Sequence, residues 1–171
     1  MYKRQVDNNS IYNLYPNHLI SIVSHEDSIY GGWTRLFPNS LIWYDISKFE
    51  QHNVTFDSFE TLLKGTKKIA DKGISPWCAN SESSASTGWV QTNWMEDVLL
   101  TKYGPEVYDE WSKLKINASN VKIFLSIKHI EDFIFYDNHI YNGPGSIISK
   151  EFRNLPKVLL DDSTECFMSW S

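Results

Sequence analysis

The sequence predicts a helix-rich chain of the α+β to α/β class. Apolar residues recur every three or four positions from Phe56 to Ala70, the spacing of one face of a helix. The aromatic run at residues 40–44 has the length of a strand, and a short helical stretch at 46–52 follows it. A chain of 171 residues is long enough for one domain with a sizeable core, and several more helical stretches follow residue 86.

The most regular helix has recognisable ends. Thr55 is the expected N-cap, and Gly73 lies just beyond the last turn. Residues 74–78 then have the composition of a short buried strand. Residues 79–86 are small and polar and predict a loop, in which Glu82 is the single acid.

Further helices are predicted towards the C-terminus. Ser86 or Thr87 can cap a helix that runs to Tyr103 and ends at Gly104, and Pro105 then suits the first turn of the next helix. Residues 117–130 and 155–160 predict two more helices, with a turn at residues 143–145 between them. Residues 6–39 predict irregular structure.

Composition argues against several classes of protein. The net charge is −5 and no stripe of Lys or Arg is present, so nucleic acid is not an expected partner. No apolar run approaches the roughly 18 residues of a membrane-spanning helix. The five histidines are scattered, and neither a G-x-S-x-G motif nor a phosphate-binding glycine loop occurs. We therefore expect no metal and no cofactor.

Four short pieces of the chain resemble the solute-binding proteins of α-glucoside and related sugar ABC transporters. In chain order they are residues 73–78 (GISPWC), 82–83 (ES), 87–89 (TGW) and 93–97 (NWMED). Residues 40–44, 104–109 and 152–157 also follow the order of that family. The resemblance implies a helix-rich portion of a periplasmic-binding-protein-like type II fold, mainly one lobe plus the approach to the hinge.

The resemblance also implies an organisation and a function. Residues 1–39 would be a poorly defined N-terminal segment and hinge approach, and residues 40–171 a partial lobe, in a central fragment of a longer protein. The parent protein would bind a glucoside or oligosaccharide, deliver it to ABC permease subunits, and be periplasmic or extracellular. Residues 80–81, 84–86 and 90–91 depart from the family pattern, so the identity of the sugar does not carry over.

The chemistry of sugars selects candidate binding residues within residues 78–94. A sugar needs directional polar groups for its hydroxyls and aromatic rings for its flat C–H faces. The Glu82 carboxylate can accept hydrogen bonds from two adjacent hydroxyls, and it resembles the acidic ligand contact of maltose-binding proteins. A solvated Glu82 with no ligand is the alternative.

The hydroxyls of Ser83, Ser84 and Thr87 complete the polar part of the candidate site, with N-capping of the next helix as the alternative for Thr87. Trp89 and Trp94 are five residues apart, so on a helix they point about 140° apart. We expect Trp89 to face the ligand and Trp94 to pack in the core.

Trp43 is a further candidate for ligand binding. The resemblance places Trp43 and Tyr44 where the chain crosses between lobes, so they would line the cleft or anchor the hinge. Core packing is the more common role for such side chains and is the alternative for both.

Cys78 and Cys166 are 88 positions apart and belong to no C-x-x-C motif. They match a cysteine pair of the family, which implies a disulfide in an oxidising compartment.

We do not expect an enzyme. Glu82 with Asp97 is the one carboxylate pair that a glycoside hydrolase could use. A fragment of a carbohydrate-active hydrolase that uses this pair is the first alternative function. Glu96 and Asp97 are consecutive on a predicted helix, which favours a solvated face for both. A structural remnant that binds nothing is the third reading.

Overall fold

The computed structural model describes residues 13–26, 28–55 and 57–170. The chain divides into two compact units, Met1–Pro38 and Asn39–Ser171. Phe56, the first apolar residue of the regular spacing, lies outside the described residues. Within the described part of the chain, no helix combines the length and apolar character that crossing a membrane requires.

The first unit has more regular structure than the sequence suggests. Helix α1 (Asn17–Ile22) is followed by strands β1 (Ser24–His25) and β2 (Ser28–Ile29), which pair antiparallel. The Trp33 indole N–H donates to the Leu19 carbonyl at 2.8 Å, and the Tyr15 hydroxyl donates to the Trp33 carbonyl at 2.6 Å. The expectation of irregular structure across residues 6–39 is therefore wrong for residues 17–22, 24–25 and 28–29, and its first part, residues 6–12, lies outside the described residues.

The second unit contains most of the helices and confirms the helix-rich prediction. Its two longest strands, β3 (Ile42–Tyr44) and β4 (Met168–Trp170), pair antiparallel with Trp43 opposite Ser169. Its helices, in chain order, are α2 (Ile46–Gln51), α3 (Phe59–Ala70), α4 (Trp89–Ser112), α5 (Val121–Ile134), α6 (Gly145–Ser149) and α7 (Leu155–Leu159).

The starts of two helices differ from the prediction because other polar side chains supply the caps. Ser58, and not Thr55, caps α3: its Oγ accepts from the Thr61 N–H at 3.1 Å, while the Thr61 Oγ1 accepts from the Ser58 N–H at 2.9 Å. Asn120 caps α5 by accepting from the Lys122 N–H at 2.9 Å. The helix predicted at 117–130 therefore lies at Val121–Ile134.

Two glycines set the start of helix α4 and the break within it. Gly88 is its N-cap with φ of 102°, a conformation that a Cβ would strain, so neither Ser86 nor Thr87 caps the helix as predicted. Gly104 has φ of 82° and ψ of 172°, outside the helical region, which breaks the helix just before Pro105. The predicted break at Gly104 is confirmed.

The strand predicted at residues 74–78 is reduced to single bridges at Trp77. The Trp77 backbone pairs in parallel with Ile140 and with Met168. These are isolated bridges, and the pairing does not extend into a ladder of several residues. The Cys78 N–H donates to the Met168 carbonyl at 2.7 Å, which holds this segment beside β4. Residues 76–78 are buried as expected, but the segment is not a regular strand.

The centre of the second unit is a set of packed rings that we call the aromatic core: Trp77, Trp94, Phe133, His139 and Trp170. Trp94 stacks on Trp170 with ring centroids 5.3 Å apart, and its indole N–H donates to the Trp170 carbonyl at 2.8 Å. The His139 Nδ1–H donates to the Phe133 carbonyl at 2.8 Å, and its Nε2 accepts from the Trp77 indole N–H at 3.0 Å. Burial lowers the pKa of His139 to about 4, so its ring is neutral.

A disulfide joins Cys78 to Cys166, as the family resemblance implied. It ties the Trp77 segment to the residue two positions before β4. Both cysteines are buried and pack with Leu155 and Leu159 of α7. The bond therefore fixes α7 and the start of β4 against the same segment.

Candidate functional site

The predicted binding loop is anchored by its backbone to the segment that connects α6 and α7. The Glu82 N–H donates to the Lys150 carbonyl at 3.0 Å, and the Phe152 N–H donates to the Glu82 carbonyl at 2.9 Å. The Ser81 N–H donates to the Ile147 carbonyl at 2.6 Å. These bonds set the position of Glu82 relative to Phe152.

The Glu82 side chain is half-buried and is partly used by the loop itself. Its Oε1 accepts from the Ser84 N–H at 2.7 Å. Oε2 has no hydrogen-bond partner among the described residues. One carboxylate oxygen thus holds the turn, and the other is available to a ligand.

The hydroxyl of Thr87 closes the same turn. Its Oγ1 accepts from the Ser83 N–H at 3.0 Å and donates to the Ser84 carbonyl at 2.8 Å. Ser83 is half-buried, whereas Ser84 and Thr87 are exposed. The loop is therefore shaped by its own polar groups before any ligand arrives, and a ligand role for these three residues stays a prediction.

The two tryptophans of α4 lie in different surroundings. Trp94 is 2% exposed and belongs to the aromatic core. Trp89, the first residue of the helix, is half-buried and packs edge-to-face on Phe152 with ring centroids 4.8 Å apart. Trp89 is thus at the rim of the unit, where ligand stacking remains its predicted role.

Trp43 and Tyr44 are not in the core, so the core-packing alternative is wrong for both. Their exposures are 55% and 43%. They line a cavity of about 410 Å³, within the range of small-molecule sites. Its lining residues are Trp43, Tyr44, Phe152, Arg153, Leu155, Pro156, Leu159, Leu160 and Ser169.

Phe152 connects the two groups of predicted site residues. Its ring contacts Trp89, its N–H is bonded to Glu82, and its side chain lines the Trp43 cavity. The predicted residues therefore form two patches that both contact Phe152. Trp43 is the one candidate that lines the cavity, and the other five lie on the loop and the start of α4.

The sequence did not identify the residues of segment 152–160 as part of a site. Residues 152–157 follow the order of the family, but they contain no motif typical of sugar-binding residues. They lie more than 100 positions from Trp43 along the chain, so only the fold brings them together.

Asp97 was expected on a solvated face of its helix, and this expectation is wrong, because its carboxylate is partly buried and pairs with Trp170. Its Oδ2 accepts from the Trp170 indole N–H at 3.0 Å, and burial raises the pKa of the carboxyl. It lines a separate cavity of about 210 Å³ whose lining residues do not include Glu82. Among the described residues, no three His, Cys, Asp or Glu side chains cluster as metal ligands would.

The sequence is similar to those of bacterial binding proteins. It is 32% identical over 130 residues to the alpha-glucosides-binding periplasmic protein AglE of Rhizobium meliloti, covering 75% of this chain and 28% of that protein. It is 26% identical over 155 residues to the osmoprotective compounds-binding protein GgtB of Synechocystis, covering 90% and 37%. The chain thus spans about a third of the length of these relatives. No family model matches the sequence.

The fold is similar to those of several solved structures. A protein studied for xylan utilization by the thermophilic bacterium Caldanaerobius polysaccharolyticus aligns with a TM-score of 0.74 at 15% identity, over 98% of this chain and 41% of that one. A chitin oligosaccharide binding protein aligns with a TM-score of 0.63 at 16% identity, over 89% and 36%. The resemblance seen in the sequence is confirmed: the chain is a relative of the solute-binding proteins of sugar and osmoprotectant ABC transporters, and it has part of their fold.

Proposed function

We propose that this chain supplies part of the sugar-binding surface of a solute-binding protein. That protein binds a glucoside or oligosaccharide outside the cytoplasm and delivers it to the permease subunits of an ABC importer. Residues 40–171 form part of one lobe in this proposal, and residues 1–39 lead towards the hinge.

The observation that carries the proposal is the arrangement around Phe152. Glu82 and Trp89 are both half-buried and both adjoin this residue. The Glu82 backbone carbonyl accepts from the Phe152 N–H, and the Trp89 ring packs on the Phe152 ring. These contacts bring the two residues to the same part of the surface, which supports a shared ligand. The free Oε2 of Glu82 suits sugar hydroxyls, and the rim position of Trp89 suits a C–H face. The alpha-glucoside-binding relative supports this choice of ligand class.

Binding without chemistry is the expected activity. The alternative hydrolase would use Glu82 with Asp97, but Asp97 accepts a hydrogen bond from Trp170 in a different cavity. The curated relatives are named as binding proteins. We therefore expect no release of reducing sugar when the protein is incubated with its ligand.

Ligand-observed NMR titration with maltose, trehalose and sucrose tests the proposal, because it detects weak as well as tight binding. At least one sugar should bind, and Glu82→Gln should weaken that binding about tenfold by replacing a charge-assisted hydrogen bond with a neutral one. Phe124→Ala is the matched control, because Phe124 is an exposed ring on α5 outside the site. Unchanged affinity in Glu82→Gln, or no binding of any sugar, contradicts the proposal.

A further inference from the structure

The cavity beside Trp43 is more apolar than a sugar ring requires. Three aromatic rings, three leucines and a proline line it, together with Arg153 and Ser169. A sugar ring carries several hydroxyls, and each hydroxyl that is buried without a partner costs free energy. A cavity with so few polar groups suits a flat apolar group better than a second sugar ring.

We propose that this cavity binds the aromatic aglycone of a glycoside whose sugar ring contacts the Glu82–Trp89 side of Phe152. The inference rests on the proposed function and specifies its ligand as an aryl glycoside. Nothing in the relatives' names assigns this cavity to a ligand.

The position of Phe152 makes the two contacts compatible with one small ligand. The same side chain packs on Trp89 and lines the cavity, so one residue separates the sugar patch from the aglycone patch. A glycosidic bond likewise places a sugar directly beside its aglycone. Trp43 offers a broad, half-exposed face on which an aromatic ring can stack.

Two polar groups of the cavity have no internal partner. Arg153 is exposed and makes no salt bridge with any described residue, and a guanidinium stacks favourably on an aromatic face. Ser169 is 1% exposed, and among the described residues its Oγ has no hydrogen-bond partner. Arg153 is therefore the accessible polar group that a substituent on the aglycone would meet, whereas the Ser169 Oγ is closed off from the open space of the cavity.

The test compares two α-glucosides that differ only in their aglycone. Ligand-observed NMR titration should show that 4-nitrophenyl α-glucoside binds about tenfold more tightly than methyl α-glucoside, since only the aryl group fills the cavity. Trp43→Ala should abolish this preference, so that the two glucosides bind the variant with equal affinity. Trp43→Phe should retain most of the preference, and Phe124→Ala all of it.

The outcomes separate this inference from the proposed function. Equal affinities for the two glucosides, or a preference that survives Trp43→Ala, overturn the aglycone site while sugar binding stands. Aryl glucoside binding that depends on Trp43, with no binding of methyl α-glucoside or maltose, supports the cavity and overturns the sugar patch. If neither glucoside binds, both proposals fail.

Discussion

Aromatic side chains occupy two contrasting regions of the second unit. In the aromatic core, Trp94 stacks on Trp170 and both ring N–H groups have hydrogen-bond partners. At the Trp43 cavity, the rings of Trp43 and Tyr44 are about half exposed and line an open space. Strand β4 contributes to both regions, with Trp170 in the core and Ser169 at the cavity. Adjacent residues of one strand point to opposite faces, so a single strand separates a closed region that stabilises the fold from an open one available to ligand.

Breaking the disulfide should have the largest effect on this division. The bond joins the Trp77 segment to the start of β4, and Leu155 and Leu159, which line the cavity, pack on it. The chain-entropy relation predicts that Cys78→Ala/Cys166→Ala lowers the free energy of unfolding by about 4 to 5 kcal/mol. Urea denaturation followed by far-ultraviolet circular dichroism measures the change. The prediction would be contradicted if the disulfide-bonded chain and the double variant unfolded at the same urea concentration. It would also be contradicted if the unfolded chain, without reduction, showed two reactive thiols.

Truncating a ring in each region measures the contrast directly. Trp94→Ala leaves a cavity in the core and should cost about 3 to 5 kcal/mol of unfolding free energy. Trp43→Ala removes a half-exposed ring and should cost about 1 kcal/mol or less. Urea denaturation of the two variants side by side checks the difference. Equal losses would show that Trp43 belongs to the stabilising core after all.

Acid should weaken the aromatic core through His139. The folded state holds the pKa of this ring at about 4, because burial and repulsion from Lys67 disfavour the charged form. In the unfolded chain the pKa is about 6.5, so below that pH the unfolded state binds a proton that the folded state does not. The free energy of unfolding should therefore fall by about 3 kcal/mol from pH 7 to pH 4.

Other groups titrate over the same range, so the measurement compares the wild-type chain with His139→Gln. Glutamine keeps a neutral acceptor for the Trp77 indole N–H and cannot take up a proton there. Its unfolding free energy should fall less steeply with acid. Parallel pH profiles for the two proteins would remove His139 as the cause.

The contrast also shows which features of the chain are predictable from local sequence. Periodicity located α3 and the break at Gly104, because helical spacing and glycine conformation are local properties. The cap was misplaced at Thr55 because the nearby Ser58 competes for the same N–H groups, and at Thr87 because Gly88 takes the N-cap position. The site was found only in part, since Glu82 and Trp89 stand in a recognisable motif and segment 152–160 does not.

The sequence by itself determined the helix-rich class, the resemblance to sugar-binding proteins and the composition of the Glu82 loop. These features depend on spacing and on motifs within short stretches of chain. The cysteine pairing followed from the family resemblance, not from a local pattern. The tertiary structure alone decided which rings are buried, that Asp97 accepts a hydrogen bond from the Trp170 indole, and that Trp43 shares a cavity with Phe152 and Ser169. Burial and long-range contact depend on the pairing of β3 with β4 across more than 100 residues, and no local pattern encodes that pairing.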